Sequence, residues 1–262
     1  MSSVYMAETS PDIPRVRQIA FSDLRSALDD GLADFRAFPS HAVFLCLIYP
    51  IVGIFLGGLV LSYYVVPLLF PLVAGFALVG PFAAVGLYEL SRRRELGLDS
   101  SWQHAFDVFR SPAKWSVFGL GVLLMAIFIA WLLTARWLYH VTMAPLEPQS
   151  AGAFVSDLFT TGAGWRMIVW GNIIGFVFAV VALCLSVVSF PLLLDRHVSA
   201  AVAMLTSFRA VLQNPLVMAA WGVIVAAALV AGSVPFLLGL AVVMPVLGHA
   251  TWHLYRRVVA PS

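Results

Sequence analysis

The sequence predicts an all-α polytopic membrane protein: six transmembrane helices arranged as three repeated hairpins, with amphipathic helices at the interfaces. Three observations lead there. Of the 262 residues, 61% are apolar and only 11% charged, against roughly 45–50% and about 25% in soluble domains. Apolar runs near the length that crosses a bilayer, about 20 residues, recur along the chain. Thirteen of the 15 Lys and Arg residues fall on connections that this segmentation puts on one side of the membrane, and only Arg136 and Arg166 fall on the other. By the positive-inside rule the count gives a cytoplasmic N-terminus and C-terminus. The net charge of +2 gives no reason to expect a nucleic-acid partner.

In chain order, residues 1–40 form a cytoplasmic N-terminal segment. Its first 14 residues are polar, contain Pro11 and Pro14, and lack the basic and apolar regions of a cleavable signal peptide. An amphipathic helix capped by Ser22 follows. Leu24, Leu28, Leu32 and Phe35 recur at helical spacing, with Asp23, Arg25, Asp29, Asp30 and Arg36 on the other side. Such a helix lies on the membrane surface or docks on the bundle.

The six-span domain covers residues 41–257, with spans at about 41–62, 66–89, 115–138, 167–190, 216–232 and 235–254, and a tail at 258–262. The second span carries Pro67, Pro71, Pro81, Gly75 and Gly80, so it should be kinked where neighbouring helices satisfy the freed carbonyls. Residues 89–114 are a charged connection in which Trp102, Ala105, Phe106 and Phe109 form a stripe before Pro112, predicting an interfacial helix. Trp115, Trp131, Trp137 and Tyr139 mark the two headgroup levels of the third span. Residues 139–165 read as a loop with a small helix around Phe154, Val155, Leu158 and Phe159. An amphipathic connection ending at Asn214-Pro215 leads into the last hairpin, which is broken at Gly232-Ser233-Val234-Pro235.

Two internal matches support repetition. Placing Pro81 on Pro245 brings Leu90 onto Leu254 and Arg92-Arg93 onto Arg256-Arg257; placing Pro112 on Pro215 aligns the two cytoplasmic connections without gaps. All even-numbered spans then leave the membrane on one side, where their charged ends should cluster. The expected cluster joins Glu89, Arg92 and Arg93 from the first exit, Asp195, Arg196 and His197 from the second, and His249, His253, Arg256 and Arg257 from the third.

The strings GLYELSRRRELG, LLLDRHVSA and LGHATWHLYRR, in this order and spacing, resemble the family of predicted integral membrane proteins known as domain of unknown function 2189, over roughly residues 15–258. The resemblance implies a membrane fold and no activity. Some members of that family carry a cytochrome c oxidase-like label, which suggests a respiratory complex as a partner.

The chemistry-bearing residues exclude more than they assign. A haem-copper core needs several histidines deep in its spans; here only His249 and His253, of His41, His104, His140, His197, His249 and His253, fall in a helix near the membrane. These two lie one turn apart and are weak candidates for a metal, against the plainer reading of a hydrogen-bonded cluster with Glu89 or Asp195. No cofactor is expected. Cys46 and Cys184 sit in apolar runs as packing residues. Nucleophile motifs, phosphate-binding loops and paired carboxylates are absent, and no ionisable residue lies in the middle third of a span, which removes the usual mark of proton coupling. GIFLG (53–57) and GNIIG (171–175) allow close helix contact, and Asn172 is expected to bond between helices. Arg92, Arg93 and Arg94, beside Trp102, are candidates for anionic lipid.

The function expected is therefore non-enzymatic: an accessory, assembly or scaffold protein of a bacterial-type inner membrane, holding membrane lipids or a membrane-protein partner at its cytoplasmic cluster. The alternative is a transporter or channel for an uncharged or amphipathic solute along the broken even-numbered helices. Haem or metal binding at His249 and His253 is a third.

Overall fold

The computed structural model describes residues 13–38, 68–146, 150–196, 198–234 and 238–261. The expected first span, 41–62, with Cys46 and GIFLG, lies outside the described residues, as do His41 and His197. Apart from a single antiparallel bridge between Val16 and Val259, the described regular structure is helical.

Helix α1 (Phe21–Ala37) starts one residue before Ser22, which does not cap it. The Asp23 carboxylate reaches back to accept the Ala20 N–H at 2.7 Å, because an acidic group at the third helical position satisfies an otherwise orphaned donor. Its buried face is Leu24, Ala27, Gly31 and Asp34, rotated from the expected leucine stripe toward small residues. The reason is the approach of the last helix: a Cβ on Gly31 would lie 2.6 Å from the Ala250 nitrogen.

Four helices among the described residues are long and apolar enough to cross a membrane: Phe70–Glu95, Lys114–Thr142, Gly162–Asp195 and Pro215–Ser233. The first comprises α2 (Leu69–Ala83) and α3 (Val85–Glu95), interrupted at Ala84. Pro81, inside α2, has no N–H to donate, so the ladder loosens there. Helix α4 is Lys114–Thr142. The third crossing comprises α6 (Gly162–Ser186) and α7 (Ser189–Asp195), interrupted where Pro191 leaves the Val187 carbonyl without its usual donor. Helix α5 (Ala151–Thr160) is the small helix expected in the preceding loop, capped by Ser150, and Thr161 caps α6.

Helix α8 (Ala200–Gln213), capped by Ser199, is the second amphipathic connection, and α9 begins with Pro215 at its first position, where a missing N–H costs nothing. Helix α10 (Leu240–Val258) covers most of the expected sixth span. It is not one of the four apolar helices, because its second half carries His249, His253, Arg256 and Arg257. The expected interfacial helix after the second span is a 3-10 helix, Trp102–Arg110.

The core is densest around α10. Trp252 and Tyr255 are buried there with Tyr88, Phe190 and Trp221, against α3, α7 and α9. The long helices expose their apolar sides instead: Phe118, Val122, Ile129 and Leu133 on α4, Ile173 and Phe176 on α6, Val223 and Val230 on α9. Exposed Trp115 and Trp137 bracket α4, about 33 Å apart at 1.5 Å per residue, close to the roughly 30 Å of a hydrocarbon core. The helices cross antiparallel where Gly171 meets Leu138 and Gly175 meets Trp131. This is a multi-pass integral membrane protein.

Candidate functional site

The polar ends of α1, α3, α7 and α10 meet in one cluster, and its most buried carboxylate is Asp34. α1 runs antiparallel to α10, so Asp30 and Asp34 face Arg257 and His253, one helical turn apart on each side. Arg257 donates to Asp30 at 2.7 Å and His253 Nε2 to Asp34 Oδ2 at 2.9 Å. α3 runs parallel to α10, brought close where a Cβ on Gly248 would meet Leu87 at 2.7 Å. It supplies Ser91, whose hydroxyl donates to Asp34 Oδ2 at 2.6 Å, and Arg94, which donates to Oδ1 at 2.5 Å. The Arg94 guanidinium also lies over the Phe38 ring, 5.6 Å from its centroid.

His249 completes this group. Its Nδ1 is 2.7 Å from Ser91 Oγ and 3.9 Å from Asp34 Oδ2. Ser91 has one proton, which goes to the carboxylate, so the proton count assigns the N–H of His249 to Nδ1. Nε2 is then a bare acceptor, buried and without a protein partner. Burial opposes the charge on Asp34. Hydrogen bonds from His253 and Ser91, with the two imidazoles nearby, nevertheless hold its carboxyl below the usual value.

The exits join each other through the remaining charges. Arg92 grips Glu89 with two hydrogen bonds of 2.8 and 2.9 Å, and Arg93 lies 3.9 Å from the same carboxylate. Arg256 bridges Glu95 of α3 at 2.9 Å and Asp195 of α7 at 3.2 Å. Tyr255 donates to Asp195 at 2.5 Å and Trp252 to Glu95 at 3.0 Å. Arg196 donates to the Ala260 carbonyl. Arg93 also bonds the Asp99 carbonyl and lies 3.3 Å from Asp107, which accepts from His104 at 2.6 Å.

The chain ends close over this cluster. Arg17 N–H donates to the Val258 carbonyl at 2.7 Å and Ala260 N–H to the Arg15 carbonyl at 3.0 Å. Asn214 holds the same strand with both ends of its amide, accepting from Ile19 N–H at 2.8 Å and donating to the Arg17 carbonyl at 3.0 Å.

Several expectations are corrected here. His249 and His253 bond to Ser91 and Asp34, not to Glu89 or Asp195, because α1 docks on α10 and delivers its own carboxylate. Asn172 donates to the Ile168 carbonyl of its own helix at 2.8 Å, being on an exposed face. Arg92, Arg93 and Arg94 are engaged by Glu89, Asp99, Asp107 and Asp34 and are not a free cationic patch. Cys184 is a partly buried free thiol.

Chemically, the cluster holds elements together. It contains Ser, His and Asp, but the serine sits between the other two, so the imidazole is not placed to take the hydroxyl proton toward a carboxylate-oriented base. Ser91 is 1% exposed and His249 fully buried, which closes both to a substrate. Among the described residues no group of three or more His, Cys, Asp or Glu side chains is arranged to hold a metal. Away from the cluster, a lateral groove between α4 and α6, lined by Ala126, Ile127, Ala130, Val177, Phe178 and Val181, is apolar.

Sequence reasoning left Asp34, Ser91, Glu95 and Asn214 out of the cluster, along with Asp30, read as part of the polar side of α1, and Arg94, read as a lipid-facing cation. One signal was available: Asp30 and Asp34 repeat at the spacing of His253 and Arg257, with opposite charge and in reverse order.

Residues 68–195 match the model of the family described as "Predicted integral membrane protein (DUF2189)". No curated protein and no solved structure matches the chain.

Proposed function

Since residues 68–195 match the DUF2189 family of predicted integral membrane proteins, we propose that the chain is a six-span, non-enzymatic scaffold of a bacterial-type inner membrane, with both termini cytoplasmic. The observation that carries this reading is the mutual pairing of charges in the polar cluster. Charged side chains of three exits, with Asp30 and Asp34 of α1, are spent on one another, with Arg256 joining α3 to α7 and Asp34 joining α1 to α3 and α10. A group already paired and buried is held for architecture, since freeing it would leave its partner uncompensated. The bridge between Val16 and Val259 supports an even number of crossings between them. The parallel packing of α3 on α10, the two segments with matching sequence, supports a repeated plan.

The role is to present a fixed membrane surface to lipids or to a membrane-protein partner, a respiratory complex among them. The apolar lateral groove favours this over passage of a polar solute. The test is recovery of the tagged native protein in gentle detergent, with mass spectrometry of its companions and an absorption spectrum. Reproducible co-recovery of one membrane complex is the expected result; a protein that emerges alone and colourless overturns the partner reading. The competing reading, passage of an uncharged or amphipathic solute, draws on the interruptions at Ala84 and Val187-Val188 and on Pro245 within α10. Uptake into liposomes decides it.

A further inference from the structure

With Arg92, Arg93 and Arg94 engaged internally, the exposed cations on this side are found elsewhere. Arg110 has a side chain 89% exposed and lies 3.9 Å from Asp107, a loose surface pair of little energetic weight. Lys114 and Arg209 are exposed as well. Each stands next to large apolar side chains that face outward. On the 3-10 helix Trp102, Phe106 and Phe109 are exposed, with Phe106 and Phe109 stacked at 6.4 Å. On α8, which the sequence aligns with it, Leu205, Phe208 and Leu212 are exposed in the same way.

Both connectors run directly into crossing helices, and their apolar surface continues onto them. Trp115 and Leu216, in the first turns of α4 and α9, are each 74% exposed, and Phe118 and Val122 follow along α4. Rings and aliphatic chains that continue a lipid-facing surface, edged by cations, are the composition of a segment lying at the hydrocarbon boundary of a charged leaflet. The Lys114 ammonium lies over the Trp115 ring at 5.6 Å, which fixes the charge at the depth where an indole sits.

We propose that the two connectors together form a contact surface for anionic phospholipid. Trp102, Phe106 and Phe109 on one, and Leu205, Phe208 and Leu212 on the other, enter the boundary of the adjoining leaflet. Arg110, Lys114 and Arg209 bind the phosphodiesters of its anionic head groups, the arginines through paired N–H donors and the lysine as a point charge. The inference rests on these connectors lying at a leaflet surface and not on the scaffold role, so loss of the partner reading leaves it standing.

The full chain is reconstituted in phosphatidylcholine bilayers with and without phosphatidylglycerol, extracted gently, and the retained lipid quantified. Each cation near an anionic surface adds about fivefold in affinity. The triple variant R110Q/K114Q/R209Q is therefore expected to lose about a hundredfold of the phosphatidylglycerol preference. Arg25→Gln, an exposed cation on α1, should retain it. Because all three sites are exposed, the triple variant should unfold at the wild-type temperature, and the single variants give a graded series. In parallel, shallow brominated lipids should quench the fluorescence difference between wild type and W102F or W115F. A folded triple variant with wild-type lipid preference overturns the proposal. Absence of quenching at both tryptophans overturns it too.

Discussion

Replacing Asp34 by Ala removes the carboxylate that joins α1 to both α3 and α10. Its carboxylate accepts from Ser91, His253 and Arg94, and hydrogen bonds to a charged group are each worth about 1.5–3 kcal/mol. The three do not add. The Arg94 side chain is 40% exposed and can turn to water, and Ser91 keeps His249 as a partner. The net loss is then about 3 kcal/mol, most of it from leaving donors unpaired in a buried site. For a chain of this size that corresponds to a fall in Tm of roughly 6–12 °C, read by thermal unfolding in mild detergent. The loss should be local to the α1 interface, so trypsin cleavage at Arg25 and Arg36 should accelerate before the spanning helices lose their circular dichroism. Asp34→Asn keeps the shape and loses the charge, and should fall between wild type and Asp34→Ala. Wild-type Tm and cleavage rate in Asp34→Ala would refute the assignment of Asp34 as the pin of α1.

Four further outcomes are expected. The Asp34 carboxyl titrates below its usual value of 3.8 when folded. Its contribution is therefore complete above that pH and is lost as pH falls through the lowered folded value; α1 should stay docked at pH 5, and acid-induced sensitivity to pepsin should disappear as a distinct phase in Asp34→Asn. Gly31→Val forces a side chain against the Ala250 backbone, an overpacking defect of about 1–3 kcal/mol, visible as a lower Tm with α1 selectively cleaved. Asn214→Ala abandons the Ile19 N–H and the Arg17 carbonyl, costing about 1–3 kcal/mol, with faster amide exchange over residues 15–20. The variant H249A/H253A should purify with the same metal content and spectrum as wild type; a metal lost with these two histidines would overturn the structural reading of the pair.

The long helices were legible because hydropathy summed over about 20 residues survives local irregularity, and the break in the second span was legible because Pro81 lacks a donor wherever it occurs; the fourth span was expected to end at 190, and its continuation through Pro191 to Asp195 was not foreseen. Close packing at Gly171 and Gly175 was equally readable. The docking of α1 was not. A hydrophobic stripe weights bulk, and the sequence pattern chose Leu28, Leu32 and Phe35, whereas a helix brought within touching distance of Ala250 selects Ala27 and Gly31. Asp34 was invisible for a related reason: a carboxylate on an amphipathic helix reads as solvated, and only the positions of α3 and α10 show that Ser91, Arg94 and His253 converge on it. The same blind spot moved the histidines to the wrong carboxylates, since Glu89 and Asp195 were the acids nearest in the predicted topology. Asn172 was overvalued because an amide in an apolar run suggests a partner helix, and its own preceding turn serves as well.

The pairing of Arg17 with the end of α10 carries a consequence for biogenesis. Arg17 and its acceptor at Arg256 are 239 residues apart, so at about 5–20 residues per second the ribosome delivers the second partner roughly 10–50 s after the first. During that interval α1 lacks the face of α10 against Gly31, and Asp34 lacks its donor His253. Closure of the cap is therefore a late event gated by synthesis of α10, and an insertion error that delivered α10 to the wrong side would leave Asp34 and the Gly31 face uncovered, in the form a quality-control protease can recognise.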